Sequence, residues 1–277
     1  MRQTAQPARC RGTHLSHYVF AEAAEQREYE RLRLIEKSFD PATERRLLQT
    51  GIEAGWQCLE VGVGAGSIAC FIAAKVGAQG RVVAADIAPR FVGELPNNAE
   101  LVEVDIRDAV LGAERFDLIH ARYVLIHIAD FEKALDNMLR HLKPGGFIVL
   151  EEPDFSAARP AWGSDEDIDH FDRVNRAIAT MFSRLHMDHA IGLRLPALLH
   201  QRGLAPEVEC ETHLQAGGGP VAEIMARSTE QLRDQYLDTG KVSEEDLRAY
   251  VRFAEDPQTW AAYYATVAAI AKKPLTQ

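Results

Sequence analysis

The stretch Leu59-Glu60-Val61-Gly62-Val63-Gly64-Ala65-Gly66-Ser67 decides how the rest of the chain is read. Its first residues form an apolar run of strand type, and its second half is a turn with glycine at every other position. The following residues, 67–76, have helical spacing. Glycines at a strand-to-helix junction let the backbone turn sharply and let a ligand approach with no Cβ in the way. The helix start then offers backbone N–H groups and a positive dipole end to a polar or anionic group. A dinucleotide fingerprint, Gly-x-Gly-x-x-Gly, would place its last glycine where Ser67 stands, which disfavours a nicotinamide oxidoreductase.

The pattern continues outward. Apolar runs at 58–61, 81–85, 101–104, 116–119 and 147–150 alternate with helical segments near 67–76 and 130–142. Between the second and third runs there is little room for more than a short helix. Such alternation predicts a mostly parallel sheet with helices on both faces, which binds ligands at the carboxyl ends of its strands. Upstream, 22–36 reads as a helix with Leu32, Ile35 and Phe39 at helical spacing; Asp40-Pro41 ends it, and 42–50 forms a second helix capped by Gly51. Residues 1–16 show no periodicity.

After residue 150, Ser164-x-x-Asp167 resembles a capping box opening an amphipathic helix through about 185. Further helices are expected at 195–201, 221–237 and 243–254, a strand at 207–212, and a flexible loop at 217–220. In 261–271, alanine favours helix while Tyr-Tyr-Ala-Thr-Val favours strand.

The strand ends carry the chemistry. The second run leads into Asp86 and Ile87, where a carboxylate accepts hydrogen bonds from ribose hydroxyls. The third leads into Asp105-Ile106, where an acid and an apolar side chain suit an adenine; Asp105 also suits the turn before Arg107-Asp108. A glycine turn, a ribose acid and a base pair of residues, in that order, are far more specific than the glycines alone.

Residues 56–155 thereby resemble a class I S-adenosylmethionine (SAM)-dependent methyltransferase of the small-molecule type, similar to the ubiquinone/menaquinone and natural-product methyltransferases. The resemblance rests on Leu59–Gly66, Val83-Ala84-Ala85-Asp86, Val104-Asp105-Ile106, Phe116–Arg122, Leu125–Asp130 and Leu142–Phe147. It implies that Glu60, Gly62, Gly64 and Gly66 contact the methionine part of SAM, that Asp86 holds the ribose with Ile87 beside it, and that Asp105 and Ile106 flank the adenine. Ala121-Arg122 would line the sulfonium end. The implied fold is a Rossmann-like seven-stranded, mostly parallel sheet whose last strand is antiparallel, which favours a strand at 261–271. Residues 1–50 would be an N-terminal helical lid segment and 51–277 the methyltransferase domain, with a helical substrate-lid insertion at about 155–190.

On the acceptor side, His127 matches a histidine that serves related enzymes as general base; the alternative is that it orders its loop. Glu152, with Glu151 and Asp154, stands after the fifth run as a substrate anchor or as solvated acid. Tyr18, Phe155 and Trp162, with Phe20, Phe171 and Phe182, are candidate walls of an apolar substrate pocket or ordinary core. Tyr29 and Arg31 or Arg33 belong either to a solvated helix face or over the cofactor, an arginine pairing with the methionine carboxylate. His186 and His189 lack a third ligand at a recognisable spacing, so no metal is expected.

A net charge of −10 without a basic cluster argues against nucleic acid, and no run is long and apolar enough for a membrane span. The cysteines, Cys10, Cys58, Cys70 and Cys210, are scattered, as in a reducing compartment. A cytoplasmic enzyme with a small-molecule substrate is expected, S-adenosylhomocysteine as its product, and a homodimer as an open possibility. Two rivals remain: a SAM-binding protein that does not methylate, such as a cyclase or regulator, and the disfavoured oxidoreductase.

Overall fold

Why the strands at 57–61 and 81–86 are interior is visible in their composition: Cys58, Leu59, Val61, Val82, Val83, Ala84 and Ala85 are all buried, with no alternation of exposed positions. Strands covered on both faces read as continuous apolar runs. The computed structural model describes residues 25–275. In it β1 (Gln57–Val61), β2 (Arg81–Asp86), β3 (Ala99–Glu103), β4 (Phe116–Arg122) and β5 (Leu142–Asp154) are parallel. The short β6 (Arg159–Trp162) and the longer β7 (Glu207–Ala216) both pair antiparallel with β8 (Trp260–Lys272). The order is β3-β2-β1-β4-β5-β8-β6, with β7 also on β8, an eight-stranded sheet. The expected seven strands thus gain β6, which lies in the segment expected to be purely helical; it pairs with the start of β8, where β5 has already ended.

The helices are α1 (Glu25–Gln49), α2 (Ser67–Val76), α3 (Phe131–His141), α4 (Asp165–Arg184), α5 (Ile191–Gln201), α6 (Pro220–Gln231), α7 (Arg233–Asp238) and α8 (Glu244–Glu255). On α2, Ile68, Ala69, Ile72, Ala73 and Val76 form one buried stripe. Ser164 caps α4 by accepting from the Asp167 amide, as its spacing predicts. Two expectations fail. The chain does not break at Asp40-Pro41: α1 is one helix with Pro41 inside it. Arg122 holds both sides of the proline, donating to Asp40 Oδ1 and Thr43 Oγ1 at 2.8 Å each, so tertiary bonds outweigh the local preference. The acids after residue 150 are not in a loop either. Glu151, Glu152 and Asp154 are buried in β5, which runs on to pair Asp154 with Ala265 of β8.

The alanine-rich 261–271 segment lies within β8, buried almost throughout between β5 and β7. Tertiary pairing overrides the helix propensity of alanine, whose small side chain also lets α5 pack close to the sheet. No helix among the described residues is long and apolar enough to cross a membrane.

Candidate active site

Val61 pairs with Ala85 on one side and Ala121 on the other, so β1, β2 and β4 end level. Gly62, Asp86 and Arg122 therefore emerge side by side where the strand order reverses, the place at which such sheets bind ligands. A cavity of about 300 Å³ opens there.

The loop glycines differ in what they permit. Gly62 has φ +72, and a Cβ on it would lie 2.3 Å from Val124 Cγ2. Gly64, at φ +61, would place a Cβ within 4 Å of nothing, so bare backbone faces the cavity. The first amide of α2, expected to await a ligand, is taken by the protein: Ser67 N–H donates to Glu36 Oε1 at 3.1 Å. Glu36 reaches it from α1, and Arg33 pairs with the same carboxylate.

Asp86 accepts from the Ala88 amide at 2.8 Å. Burial raises its pKa, against the opposing pull of the Ala88, Val63, Gly64 and Ile87 amides around it. Ile87, Val104, Asp105 and Ile106 continue the lining. Asp105 accepts from the Arg107 amide at 2.9 Å and from its guanidinium at 3.0 and 2.6 Å. Burial lifts its pKa, but Arg107 outweighs that and leaves it lowered.

Beneath the loop runs a chain of buried charge. Glu60 Oε2 lies 2.6 Å from His120 Nδ1, and His120 Nε2 lies 3.3 Å from Glu151 Oε1. Arg46 donates to Glu151 at 2.6 Å and to Glu209, on β7, at 2.9 Å. Burial alone would depress the imidazole, but the two carboxylates push its pKa up to about 9, so it is protonated at neutral pH and donates to both. Glu60 and Arg122 line the cavity; Ala121 is fully buried in β4 and does not.

Past β4, Tyr123 takes φ +56, rare for an aromatic residue, and leads into a 3₁₀ turn, Leu125–His127. Glu152 holds that turn. One carboxylate oxygen accepts from Val124 N–H at 3.0 Å and Leu125 N–H at 2.8 Å; the other accepts from Ile126 N–H at 3.1 Å. Burial outweighs these bonds and raises its pKa to about 7. His127 lines the cavity, and burial together with the Arg31 charge depresses its pKa to about 3, leaving a neutral imidazole.

The far wall comes from elements remote in sequence. Phe155 and Phe182 stack at 5.9 Å between centroids, and Phe155 meets Tyr264 at 5.3 Å. Ile224, Met225 and Ser228 of α6 and Tyr236 of α7 complete it.

Of the residues expected at the site, Glu60, Gly62, Gly64, Asp86, Ile87, Asp105, Ile106, Arg122, His127 and Phe155 line this one cavity, as do Arg31 and Phe182. Gly66 stands behind the loop against Leu95 and Val92. Glu152 is spent on backbone amides, and Trp162 is 70% exposed on β6; neither lines the cavity. Phe171 is core, packed on Tyr250, Tyr263 and Phe253. Tyr29 is exposed near Phe91. Tyr18 and Phe20 lie outside the described residues. Sequence reasoning missed Glu36, Ser228, Tyr236 and Tyr264 in the lining, and Arg46 and the role of His120 beneath it. Only His120, inside a recognised motif, carried any local signal.

A family model described as a methyltransferase domain matches residues 17–206. The chain belongs to the methyltransferase-domain family. It is 33% identical over 112 residues to the ubiquinone/menaquinone biosynthesis C-methyltransferase UbiE of Idiomarina loihiensis, covering 37% of this chain and 45% of that protein. It is 28% identical over 145 residues to methyltransferase pytC of Aspergillus terreus, covering 52% of this chain and 44% of that protein. The chain thus spans less than half the length of both. A phosphoethanolamine N-methyltransferase 2 from Haemonchus contortus, solved with phosphomonomethylethanolamine and S-adenosylhomocysteine, shares the fold at a TM-score of 0.57. It is 16% identical, over 95% of this chain and 61% of that one.

Proposed function

We propose that the protein is a SAM-dependent methyltransferase that delivers a methyl group to an oxygen, nitrogen or carbon nucleophile of a small, largely apolar or aromatic molecule, of the kind met in secondary metabolism. The observation that carries this is the juxtaposition of bare backbone at Gly64 with Asp86, at strand ends brought level by register. A zwitterion joined to a nucleoside fits what lines that end: the carboxylates of Glu36, Glu60, Asp86 and Asp105, the guanidinium groups of Arg90 and Arg122, and the apolar side chains of Ile87 and Ile106.

In this reading Asp86 accepts from the ribose hydroxyls, Ile87 and Ile106 flank the adenine, and Gly62 and Gly64 admit the methionine part. Bound SAM supplies a methyl group already activated by its sulfonium, so the protein's main task is alignment and exclusion of water. Helices α1, α6 and α7 and the 155–190 segment act as the lid. With its pKa at about 3, His127 is a weak proton acceptor and serves chiefly to orient the nucleophile by a hydrogen bond.

Calorimetry tests the donor site: purified protein should bind SAM and S-adenosylhomocysteine one to one, and Asp86→Ala should weaken both. Unchanged affinity in that variant sinks the assignment. Transfer of a radiolabelled methyl group to small-molecule extracts then separates a methyltransferase from a SAM-binding protein without transferase activity.

A further inference from the structure

Thr266 is a buried hydroxyl in a stretch of β8 otherwise made of alanine and valine, Ala265 before it and Val267, Ala268 and Ala269 after it. A valine would fill the same space, so packing alone does not call for a threonine. Its Oγ1 lies 2.5 Å from the Tyr123 hydroxyl and 2.8 Å from His213 Nε2. Tyr123 lines the cavity, and His213 is half-buried on the partly exposed strand β7. Three side chains from three segments thus join the cavity to the far side of β8.

Local backbone aims these groups. Tyr123 is held at φ +56. On β7 the register passes from Thr212 on Ala265 to Leu214 on Ala262, so His213 stands opposite both Tyr263 and Tyr264. A bulge of this kind re-aims a side chain and is common beside active sites. Phe39 of α1 covers the cluster, its ring 5.4 Å from Tyr123 and 5.1 Å from His213. Burial raises the pKa of Tyr123, helped by Tyr264 and Glu151 and opposed by the Thr266 bond and Arg122, so its hydroxyl rests protonated. Burial likewise keeps Tyr264 protonated, although Arg31 and Arg122 both act on it. For His213, burial lowers the pKa, Glu211 opposes this and Arg46 adds to it. The resting imidazole is neutral, with one ring nitrogen able to accept.

We propose that Tyr123, Thr266 and His213 form a proton outlet, carrying the proton lost by an oxygen or nitrogen nucleophile from the cavity to β7. His127, with its pKa at about 3, is a weak acceptor for that proton. The nucleophile's electron pair forms the bond to the methyl carbon, and the carbon–sulfur pair leaves on sulfur. Its proton passes to the Tyr123 oxygen, the Tyr123 proton to Thr266 Oγ1, and the Thr266 proton to His213 Nε2. Burial penalises a phenolate at Tyr123, so each hydroxyl gives up a proton as it gains one, and a connected chain of hydrogen bonds favours that. The imidazolium formed beside Glu211 then gives a proton to water, and rotation of ring and hydroxyls restores the chain. Tyr123 is the group that meets the nucleophile; Thr266 and His213 act through it.

The outlet rests on the methyltransferase reading for its purpose, but it is tested without turnover. In nitrogen-15 NMR of the full chain, with the His213 signals identified by their loss in His213→Gln, the neutral ring should carry its proton on Nδ1 and leave Nε2 bare. A proton on Nε2 would point the chain inward and overturn the proposal. The second readout is 1-naphthol, which becomes a strong acid when excited and emits as naphtholate only where its proton is taken up. Bound to protein saturated with S-adenosylhomocysteine, it should show naphtholate emission. Thr266→Val, which keeps the shape and removes the oxygen, should cut that emission about ten-fold or more with naphthol affinity little changed, and His213→Gln should do the same. Undiminished naphtholate emission in both variants overturns the proposal. Should naphthol or S-adenosylhomocysteine fail to bind, the fault lies with the cavity reading, and the His213 tautomer, read without ligand, still decides the outlet.

Discussion

The two ends of the cavity are built by different means. At the glycine-loop end the geometry comes from main chain: strands ended level by register, positive φ at Gly62 and Gly64, and carboxylates braced by backbone amides. At the other end it comes from side chains that five separate segments bring together: the turn after β5, α4, α6, α7 and β8. Main-chain geometry tolerates few residue types and so leaves a pattern in sequence. A wall of packed side chains is satisfied by many combinations and leaves none. The donor end can therefore be common to a whole family while the acceptor end is particular to one chain.

If that division is right, the largest single effect belongs to Asp86. Asp86→Ala should lower SAM affinity about a thousand-fold, or ~4 kcal/mol, since a buried carboxylate accepting from two hydroxyls is lost. Binding of 1-naphthol, a neutral aromatic probe of the far wall, should hardly change. Calorimetry on both ligands checks this, and a parallel loss of naphthol affinity would show that the two ends are not independent.

Next is the charge chain beneath the loop. The pKa of His120 is raised from 6.5 to about 9, so its stabilising contribution is complete below pH 6.5 and lost as pH rises through 9. Linkage makes this roughly 3 kcal/mol. Urea unfolding of the native protein should show stability falling between pH 7 and about 9.5, and His120→Asn should remove that slope. An unchanged slope in the variant would place the titration elsewhere.

The glycines divide the donor end more finely. Gly62→Ala forces a Cβ into Val124 Cγ2 and should cost about 2 kcal/mol of stability. Gly64→Ala, with open space around it, should cost about 1 kcal/mol for the left-handed backbone alone. It should nonetheless weaken SAM binding by about ten-fold or more. Denaturation and calorimetry on the pair separate a glycine kept for folding from one kept for ligand.

The same division explains what the sequence disclosed. Leu59 to Ser67, Asp86 and Asp105 lie at strand ends, where a local pattern of apolar run, turn and acid is enough to locate them. Glu36 reaches Ser67 across 31 residues, and Arg46 reaches Glu151 across 105. No periodicity in α1 distinguishes these from solvated charges. The continuity of α1 through Pro41 depended on Arg122, again a distant partner. Glu152 was misplaced for a related reason: the length of β5 is set by pairing with β8, so the apolar run ended before the strand did. Propensity alone left 261–271 undecided, and the family resemblance, not the alanines, favoured a strand there.

The smallest expected effect is at Trp162. An exposed tryptophan on an edge of the sheet invites a role in substrate binding, and an aromatic in that segment suits a pocket wall. Yet its side chain lies in the short β6, 70% exposed, while the wall is made by Phe155 before it and Phe182 after it. Trp162→Ala should change stability by no more than about 0.5 kcal/mol and leave naphthol affinity untouched. Phe182→Ala, in the same measurement, should lower naphthol affinity about ten-fold by removing buried apolar surface. Should the Trp162 variant lose naphthol binding while the Phe182 variant keeps it, the acceptor sits at the open end of the sheet, and the cavity at the strand ends serves the donor alone.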